Sequence, residues 1–165
     1  MITITQASES QLPIIRQIAE QTWPTAYSTI ISPEQIQWML EWMYNLPELT
    51  QQYHAGTLFF IAMQNQEPLG MASISPVKEG ICKLNKLYVL PSTQKTGAGK
   101  LLLHTAVQAA AQQHATHVQL QVNRANPAVG FYQKQGFVII AEEDFDIGNG
   151  FFMNDYIMQL TLSGE

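Results

Sequence analysis

"PSTQKTGAGKLLL", residues Pro91–Leu103, sets Gly97 and Gly99 one residue apart, directly before an apolar, helix-forming run. Glycine amides have no side chain to shield them. A helix starting beside them adds unpaired N–H groups and the positive end of its dipole, the general device for holding a phosphate or diphosphate. Two narrower phosphate motifs fail. A triphosphate loop G-x-x-x-x-G-K-[ST] ending at Gly99-Lys100 meets Gln94 in place of its first glycine and Leu101 in place of its metal-binding hydroxyl. A dinucleotide fingerprint G-x-G-x-x-G beginning at Gly97 meets Leu102 where its third glycine belongs, and no acid stands near position 120 to hold a ribose. An ordinary strand-to-helix turn is the plain alternative. Each charge–dipole contact is worth about 0.3–1 kcal/mol, so an anion site here needs several amides together with Lys95 or Lys100.

Upstream of the loop, "TLFFIAM" (57–63), "EPLGMASIS" (67–75) and "GICKLNKLYV" (80–89) read as three strands joined by turn-prone segments, an antiparallel meander. Downstream, Leu101, Leu102, Ala106, Ala109 and Ala110 give Gly99 to about Ala115 an apolar helical face, and "THVQLQVN" (116–123) alternates as a strand. Asn126 can cap a short helix that has Pro127 at its first position and Gly136 at its end. "FVIIAEE" (137–143) and "YIMQLTL" (156–162) are strands flanking a loop "DFDIGNG" (144–150). At the other end, "MITITQA" (1–7) is a short strand. Ser8 or Ser10 then caps a helix with Leu12, Ile15, Ile18 and Ala19 on one face, which Pro24 should end. Ser32, Pro33 and Gln35 open a second helix, with Ile36, Met39, Leu40 and Met43 at helical spacing. The order is strand, two helices, three strands, helix, strand, helix, two strands.

The chain has 165 residues, 46% hydrophobic and 13% charged, the balance of a single compact domain spanning 1–165 with ample core. No window approaches the about 18 consecutive apolar residues of a membrane span, and the N-terminus lacks a signal peptide's basic and apolar regions, so a cytoplasmic location is expected. Cys82 is the one cysteine, which forbids an internal disulfide, and it reads as a buried strand position. A net charge of −5 argues against nucleic acid as a partner and would draw a cationic substrate. His54, His104, His114 and His117 form no His-x-x-x-His pair and have no cysteine cluster, so no metal site is expected.

Gln94-Lys95-Thr96-Gly97-Ala98-Gly99 matches [RQ]-x-x-G-x-[GA], and "NRANPAVGFYQKQGF" (123–137) carries N-x-A-x-x-F-Y-x-x-x-G-F from Asn126. With "KLYVLP" (86–91) before the loop, these residues resemble the cofactor motifs of the GNAT superfamily of N-acetyltransferases at the family's usual separation, and the likeness runs over nearly the whole chain. The resemblance implies an α/β (α+β) GNAT acyltransferase fold. Its central sheet is mixed, mostly antiparallel and of about seven strands, with helices on both faces and a splay between strands 4 and 5. It also implies acetyl-CoA as co-substrate, lying in that splay. Its pantetheine arm would pair with Leu87, Tyr88 and Val89, its diphosphate would meet the amides of Gln94, Lys95, Thr96, Gly97, Ala98, Gly99 and Lys100, and Asn126 would also reach it. No metal is implied, and a homodimer is allowed.

Acetyl transfer to an amine raises two proton problems. An amine of pKa about 10.4 is neutral in about one molecule in 2,500 at pH 7, a handicap of about 4.6 kcal/mol. The leaving thiolate needs a hydrogen-bond donor, and Tyr132 stands where the family keeps that donor. A phenol is a weaker acid than a thiol by about 1.5 pKa units, so full proton transfer is uphill by about 2 kcal/mol and a hydrogen bond is the expected role; a core aromatic is the plain alternative. Many relatives carry a glutamate on the fourth strand, but "CKLNKLYV" (82–89) has no carboxylate. Glu142, Glu143, Asp144, Asp146 and Asp155 remain as possible bases, each more simply read as a solvated loop acid.

The family usually builds its acceptor site from the first two helices and the last inter-strand loop. Here "QTWPTAY" (21–27), "QWMLEWMY" (37–44) and "EEDFDIGNGFFMNDY" (142–156) combine aromatic rings with acids, which resembles the bacterial polyamine N-acetyltransferases. Core packing is the plain reading of Trp38, Met39, Trp42 and Met43. A small primary amine or polyamine is the expected acceptor. A protein or peptide amine, and a non-catalytic coenzyme A sensor, are the alternatives.

Overall fold

In a computed structural model, which describes residues 1–162, seven strands form one sheet in the order β1-β2-β3-β4-β5-β7-β6. The elements in chain order are β1 (Thr3–Gln6), α1 (Leu12–Tyr27), α2 (Pro33–Tyr44), α3 (Leu46–His54), β2 (Leu58–Gln64), β3 (Glu67–Ile74), β4 (Ile81–Val89), α4 (Ala98–Gln112), β5 (His117–Asn123), α5 (Ala128–Lys134), β6 (Val138–Gly148) and β7 (Phe151–Thr161). All neighbouring pairs are antiparallel except β4 and β5. This is the mixed sheet expected of a GNAT fold.

The two faces carry separate cores. Phe59, Ile61 and Met71 pack under α1, α2 and α3 with Leu12, Ile15, Ile18, Trp23, Met39 and Leu49. On the other face, Phe60, Ala72, Ile74, Leu84 and Val118 meet Leu102, Leu103, Ala106 and Ala110 of α4 and Tyr132 of α5. The alternation along β2 supplies both cores, because successive strand side chains point to opposite faces.

Local chemistry accounts for most element ends. Ser32 Oγ accepts the Gln35 amide at 3.1 Å and opens α2. Ser8 rather than Ser10 closes the turn before α1, its amide donating to Gln11 Oε1 at 2.9 Å. Asn126 Oδ1 accepts the Ala128 amide at 2.8 Å, and Gly136 ends α5 with φ +99°, where the Phe137 amide returns to Tyr132 O at 3.0 Å. Between β2 and β3, Asn65 and Gln66 both take positive φ, the turn whose twist matches a hairpin.

Three expectations fail. Pro24 does not end α1, which runs through it to Tyr27 because the last turn buries Trp23 and Tyr27 in the helical core; packing outweighs the one backbone bond that proline removes. A third helix, α3, was not foreseen, although Asn45 accepts the Glu48 amide at 2.8 Å and Pro47 lies in its first turn, the same start signal as that of α2. The segment 144–150 is not a loop. β6 and β7 run for 11 residues each and turn only at Asn149-Gly150, with φ +56° and +77°. Phe151 reaches Trp38 of α2, ring centroids 5.7 Å apart, and that packing extends the hairpin.

Candidate active site

β4 and β5 are in register only over Ile81–Leu84 and His117–Leu120. Beyond Leu84, β4 remains paired with β3 while its other edge, Asn85–Val89, has no strand beside it. A bulge sits at the same point: Leu84 opposes Ile74 and Lys86 opposes Ser73, leaving Asn85 unopposed. The extra residue shifts the side-chain phase by one. Cys82 and Leu84 therefore face the α4 core, as do Leu87 and Val89, whereas Lys86 and Tyr88 turn to the α1 side.

The splayed strands open into a narrow cleft lined by Leu84–Tyr88, Leu120–Val122, Asn126, Ala128, Tyr132 and Tyr27. Leu87, Tyr88, Asn126 and Tyr132 are thus brought together. Val89 lies at the end of the same strand, where a Cβ on Gly99 would meet its Cγ2 at 3.5 Å. The glycine loop follows directly. Gly97 holds φ +90°, and a Cβ there would meet nothing within 4 Å. Lys95 also holds φ +75°, an uncommon conformation for a residue with a side chain and one that clusters at ligand-binding loops. Thr96 Oγ1 ties the turn to Thr93 O at 2.6 Å, and the first backbone bond of α4 runs from Leu101 N to Gly97 O at 3.1 Å. Ala98 N donates to Thr96 Oγ1 at 3.4 Å, and the amides of Gly97, Gly99 and Lys100 are left as the orphan donors of a helix start. Gln94, Lys95, Thr96, Gly97 and Lys100 are exposed, while Ala98 is buried and anchors the turn. Unpaired amides, a positive helix end and a free strand edge fit an elongated anionic thioester.

Tyr132 is buried between Phe131 and Phe137, its ring edge-on to both. Burial raises its phenol well above the ordinary value, so it stays protonated and available as a donor. The hydroxyls of Tyr27 and Tyr88 share a 2.9 Å hydrogen bond, and burial raises both.

On the α1 side the cleft continues into a cavity of about 470 Å³. Trp23 and Tyr27 come from α1, Gln35, Met39 and Met43 from α2, Gln52 from α3, Lys83, Asn85 and Lys86 from β4, and Phe152, Met153 and Asp155 from β7. Gln35 Nε2 donates to Phe152 O at 2.8 Å and fastens the β6–β7 hairpin over α2. The two openings share Tyr27, Leu84, Asn85, Lys86, Tyr88, Leu120 and Gln121, so they adjoin across β4 and β5.

The five acids left open by the sequence divide sharply. Glu142, Glu143, Asp144 and Asp146 are exposed on β6, and Asp144 pairs with Arg124 at 2.6 Å. Asp155 is not a solvated loop acid: it lies on β7, only 3% exposed, with Oδ2 lacking any hydrogen-bond partner. Burial pushes its carboxyl up to about 6, against the opposing pull of Arg124. Of the aromatic and thioether residues of α2, Met39 is buried and Trp42 is nearly half exposed. Cys82 is buried, as expected, its Sγ donating to Ser75 O at 3.3 Å, and burial pushes the thiol up to about 11. Among the described residues no cluster of three or more His, Cys, Asp or Glu could hold a metal, and no helix is long and apolar enough to cross a membrane.

Gln35, Gln52, Lys86 and Gln121 were missed as lining residues. One signal was available for Lys86: the apolar phase breaks between Leu84 and Leu87, which marks a bulge and turns the intervening lysine to the other face.

Residues 28–160 match the acetyltransferase (GNAT) domain family. The chain is 29% identical over 143 residues to an uncharacterized N-acetyltransferase of Mycobacterium bovis, covering 86% of this chain and 91% of that one. It is 26% identical over 154 residues to an uncharacterized N-acetyltransferase of Bacillus subtilis, covering 89% and 86%. Among solved structures, the PaiA N-acetyltransferase of Thermoplasma acidophilum in complex with coenzyme A superposes with TM-score 0.84 at 24% identity, covering 98% and 99%. A ribosomal-protein-alanine N-acetyltransferase of Brucella melitensis does so with TM-score 0.69 at 20% identity, covering 97% and 99%.

Proposed function

The chain belongs to the GNAT family and is an acetyl-CoA-dependent N-acetyltransferase; on that premise we propose that its acceptor is a small primary amine, which attacks the thioester directly without a covalent enzyme intermediate. One observation carries the reading: the cleft holding Tyr132 and the cavity holding Asp155 adjoin and share seven lining residues, so a thioester entering from one side and an amine from the other would meet between two groups suited to the two proton problems.

Acetyl-CoA supplies the activated acyl group: the N–C bond forms as the C–S bond breaks, the ammonium nitrogen loses a proton and the sulfur gains one. The amides of Gln94–Lys100 would hold the diphosphate, with Lys95 and Lys100 adding charge, and the free edge at Leu87–Val89 would pair with the pantetheine amides. Asn126 lies beside that path. Tyr132 donates a hydrogen bond to the sulfur as negative charge develops there. Asp155 accepts the amine proton, directly or through water. Its pKa of about 6 leaves it mostly ionised at pH 7, yet more basic than an ordinary carboxylate.

A small acceptor is favoured over a protein chain because the β6–β7 hairpin is fastened across the cavity by Gln35 and Trp38. The polyamine form of the proposal draws on the rings of Trp23, Tyr27, Tyr88 and Phe152 and on Asp155; Lys83 and Lys86 in the same wall oppose a second ammonium. We read the chain as one cytoplasmic domain.

The test is release of free thiol from acetyl-CoA over a panel of amines, amino acids and peptides. Turnover of at least one small amine is expected. Coenzyme A binding with no turnover of any acceptor would favour the sensor reading.

A further inference from the structure

We propose that the acceptor carries an anionic group, in the simplest case a carboxylate, which docks on Lys86 while its amine faces the thioester and Asp155. The inference rests on the acetyl-transfer reading and names the acceptor class of that site.

Lys86 is a cation inside the protein, 5% exposed, in the cavity wall. Its Nζ donates to Gln52 Oε1 at 3.2 Å, and Gln52 Nε2 donates to Glu48 Oε1 at 3.1 Å, which fixes the amide and aims the ammonium. The rings of Tyr44 and Phe59 lie 5.2 and 5.9 Å from the nitrogen. Among the described residues no carboxylate comes within ion-pair distance of it. An ammonium has three donors, and the protein supplies one acceptor. Burial lowers this lysine to about 8, partly offset by Glu48, so it remains charged at neutral pH. A charge this deep is retained at a penalty unless an anion meets it.

The surroundings repeat the imbalance. Trp23 Nε1, in the same cavity wall, has only the Tyr44 hydroxyl beside it, and the hydroxyl of Ser73, which stands opposite Lys86 on β3, is buried without a partner. Lys83 adds a second positive charge to the lining. Across the cavity the deficiency is inverted, for Asp155 Oδ2 is an acceptor without a donor. Lys86 and Asp155 lie on β4 and β7 with β5 between them, their backbones about two inter-strand spacings or about 10 Å apart, and they form no ion pair with each other. A cavity with a donor-rich end and an acceptor-rich end fits a molecule bearing both an amine and an anion. A diamine would bring its second ammonium against two lysines.

The experiment uses the full chain with acetyl-CoA and the standard amino acids and ω-amino acids, each beside its carboxamide, together with putrescine and spermidine. Thiol release and calorimetric titration of the coenzyme A-loaded protein are both read. The best acceptor is expected to carry a carboxylate and to exceed its carboxamide by about tenfold or more in kcat/KM, with a matching difference in affinity. Lys86→Met should abolish that ratio and leave the coenzyme A Kd unchanged. A wild-type ratio near one, a ratio that survives Lys86→Met, or a diamine as best acceptor overturns this inference and leaves acetyl transfer standing. Coenzyme A binding without turnover of any amine overturns both. The wild-type ratio decides the matter even if the variant fails to fold.

Discussion

The donor half and the acceptor half of the site proposed above are made of different material. The donor half is backbone: a free edge of β4, a left-handed Gly97, and the first amides of α4. The acceptor half is side chains from α1, α2, α3, β4 and β7, converging from positions 23 to 155. Backbone recognition suits a ligand shared by a whole family, since it depends on conformation more than on side-chain identity. Side-chain recognition can be rewritten one residue at a time while the sheet stays the same. The comparison predicts that changes in the acceptor half alter chemistry and selectivity, whereas changes in the loop alter affinity for coenzyme A.

The largest effect should come from Asp155→Asn, which removes the proton acceptor and leaves its shape. A fall in kcat/KM of about 10²- to 10⁴-fold is expected, with little change in the coenzyme A Kd. In the wild-type protein kcat/KM should rise with pH through about 6, and the variant should lose that acid limb. The stability profile runs the other way. A carboxyl whose folded pKa is raised from 3.8 to about 6 binds its proton more tightly when folded, so stability falls as pH rises between those values, by about 3 kcal/mol in all. Chemical denaturation should find Asp155→Asn more stable than wild type at pH 7 and nearly equal to it below about pH 4. A variant less stable at both pH values would mean that Asp155 is structural.

Tyr132→Phe should have the next largest effect. Loss of one hydrogen bond to a developing thiolate is worth about 1.5–3 kcal/mol, or about 10- to 100-fold in kcat. The ring keeps its packing between Phe131 and Phe137, so melting temperature and coenzyme A affinity should hold. An unchanged kcat in a step shown to limit turnover would reduce Tyr132 to a core aromatic.

The same contrast explains what could be read from the sequence. The turn at 94–100, the Asn126 cap and the short helix that carries Tyr132 were legible because each lies in a short local pattern tied to a backbone conformation. The meander of β2, β3 and β4 was legible from alternation. The acceptor cavity was not, because Asp155 and Lys86 meet it only through strand order and a bulge, neither of which leaves a contiguous motif. The segment 144–150 misled for a related reason. Its polar residues alternate with Phe145 and Ile147, which are half-buried, and the Asn149-Gly150 turn is the true break. Pro24 misled because a proline rule is local and the packing of Trp23 and Tyr27 is not.

Gly97→Val tests the donor half. A β-branched residue disfavours the left-handed conformation by about 1–2 kcal/mol, and the turn should relax away from φ +90°. Because an added Cβ meets nothing, the fold itself should tolerate the change. The coenzyme A Kd should rise by about tenfold by calorimetry, while kcat at saturating cofactor changes little. If kcat fell and Kd did not, the division between affinity on the backbone side and chemistry on the side-chain side would fail.

The smallest expected effect bears on where the acceptor half ends. Asp144 sits on the same hairpin as Asp155 and carries the same charge, but it is exposed and paired with Arg124 rather than turned into the cavity. If the net acidity of the hairpin drew the amine in, Asp144→Ala should raise KM and the effect should fade with added salt, because exposed charges act over a Debye length of about 8–10 Å. If recognition resides in the buried ends of the cavity, kcat/KM should stay within about twofold of wild type at both low and high salt, as is usual for loss of an exposed ion pair. The second outcome is expected, because Asp155 meets the cavity through its own unpartnered oxygen and Asp144 does not reach it.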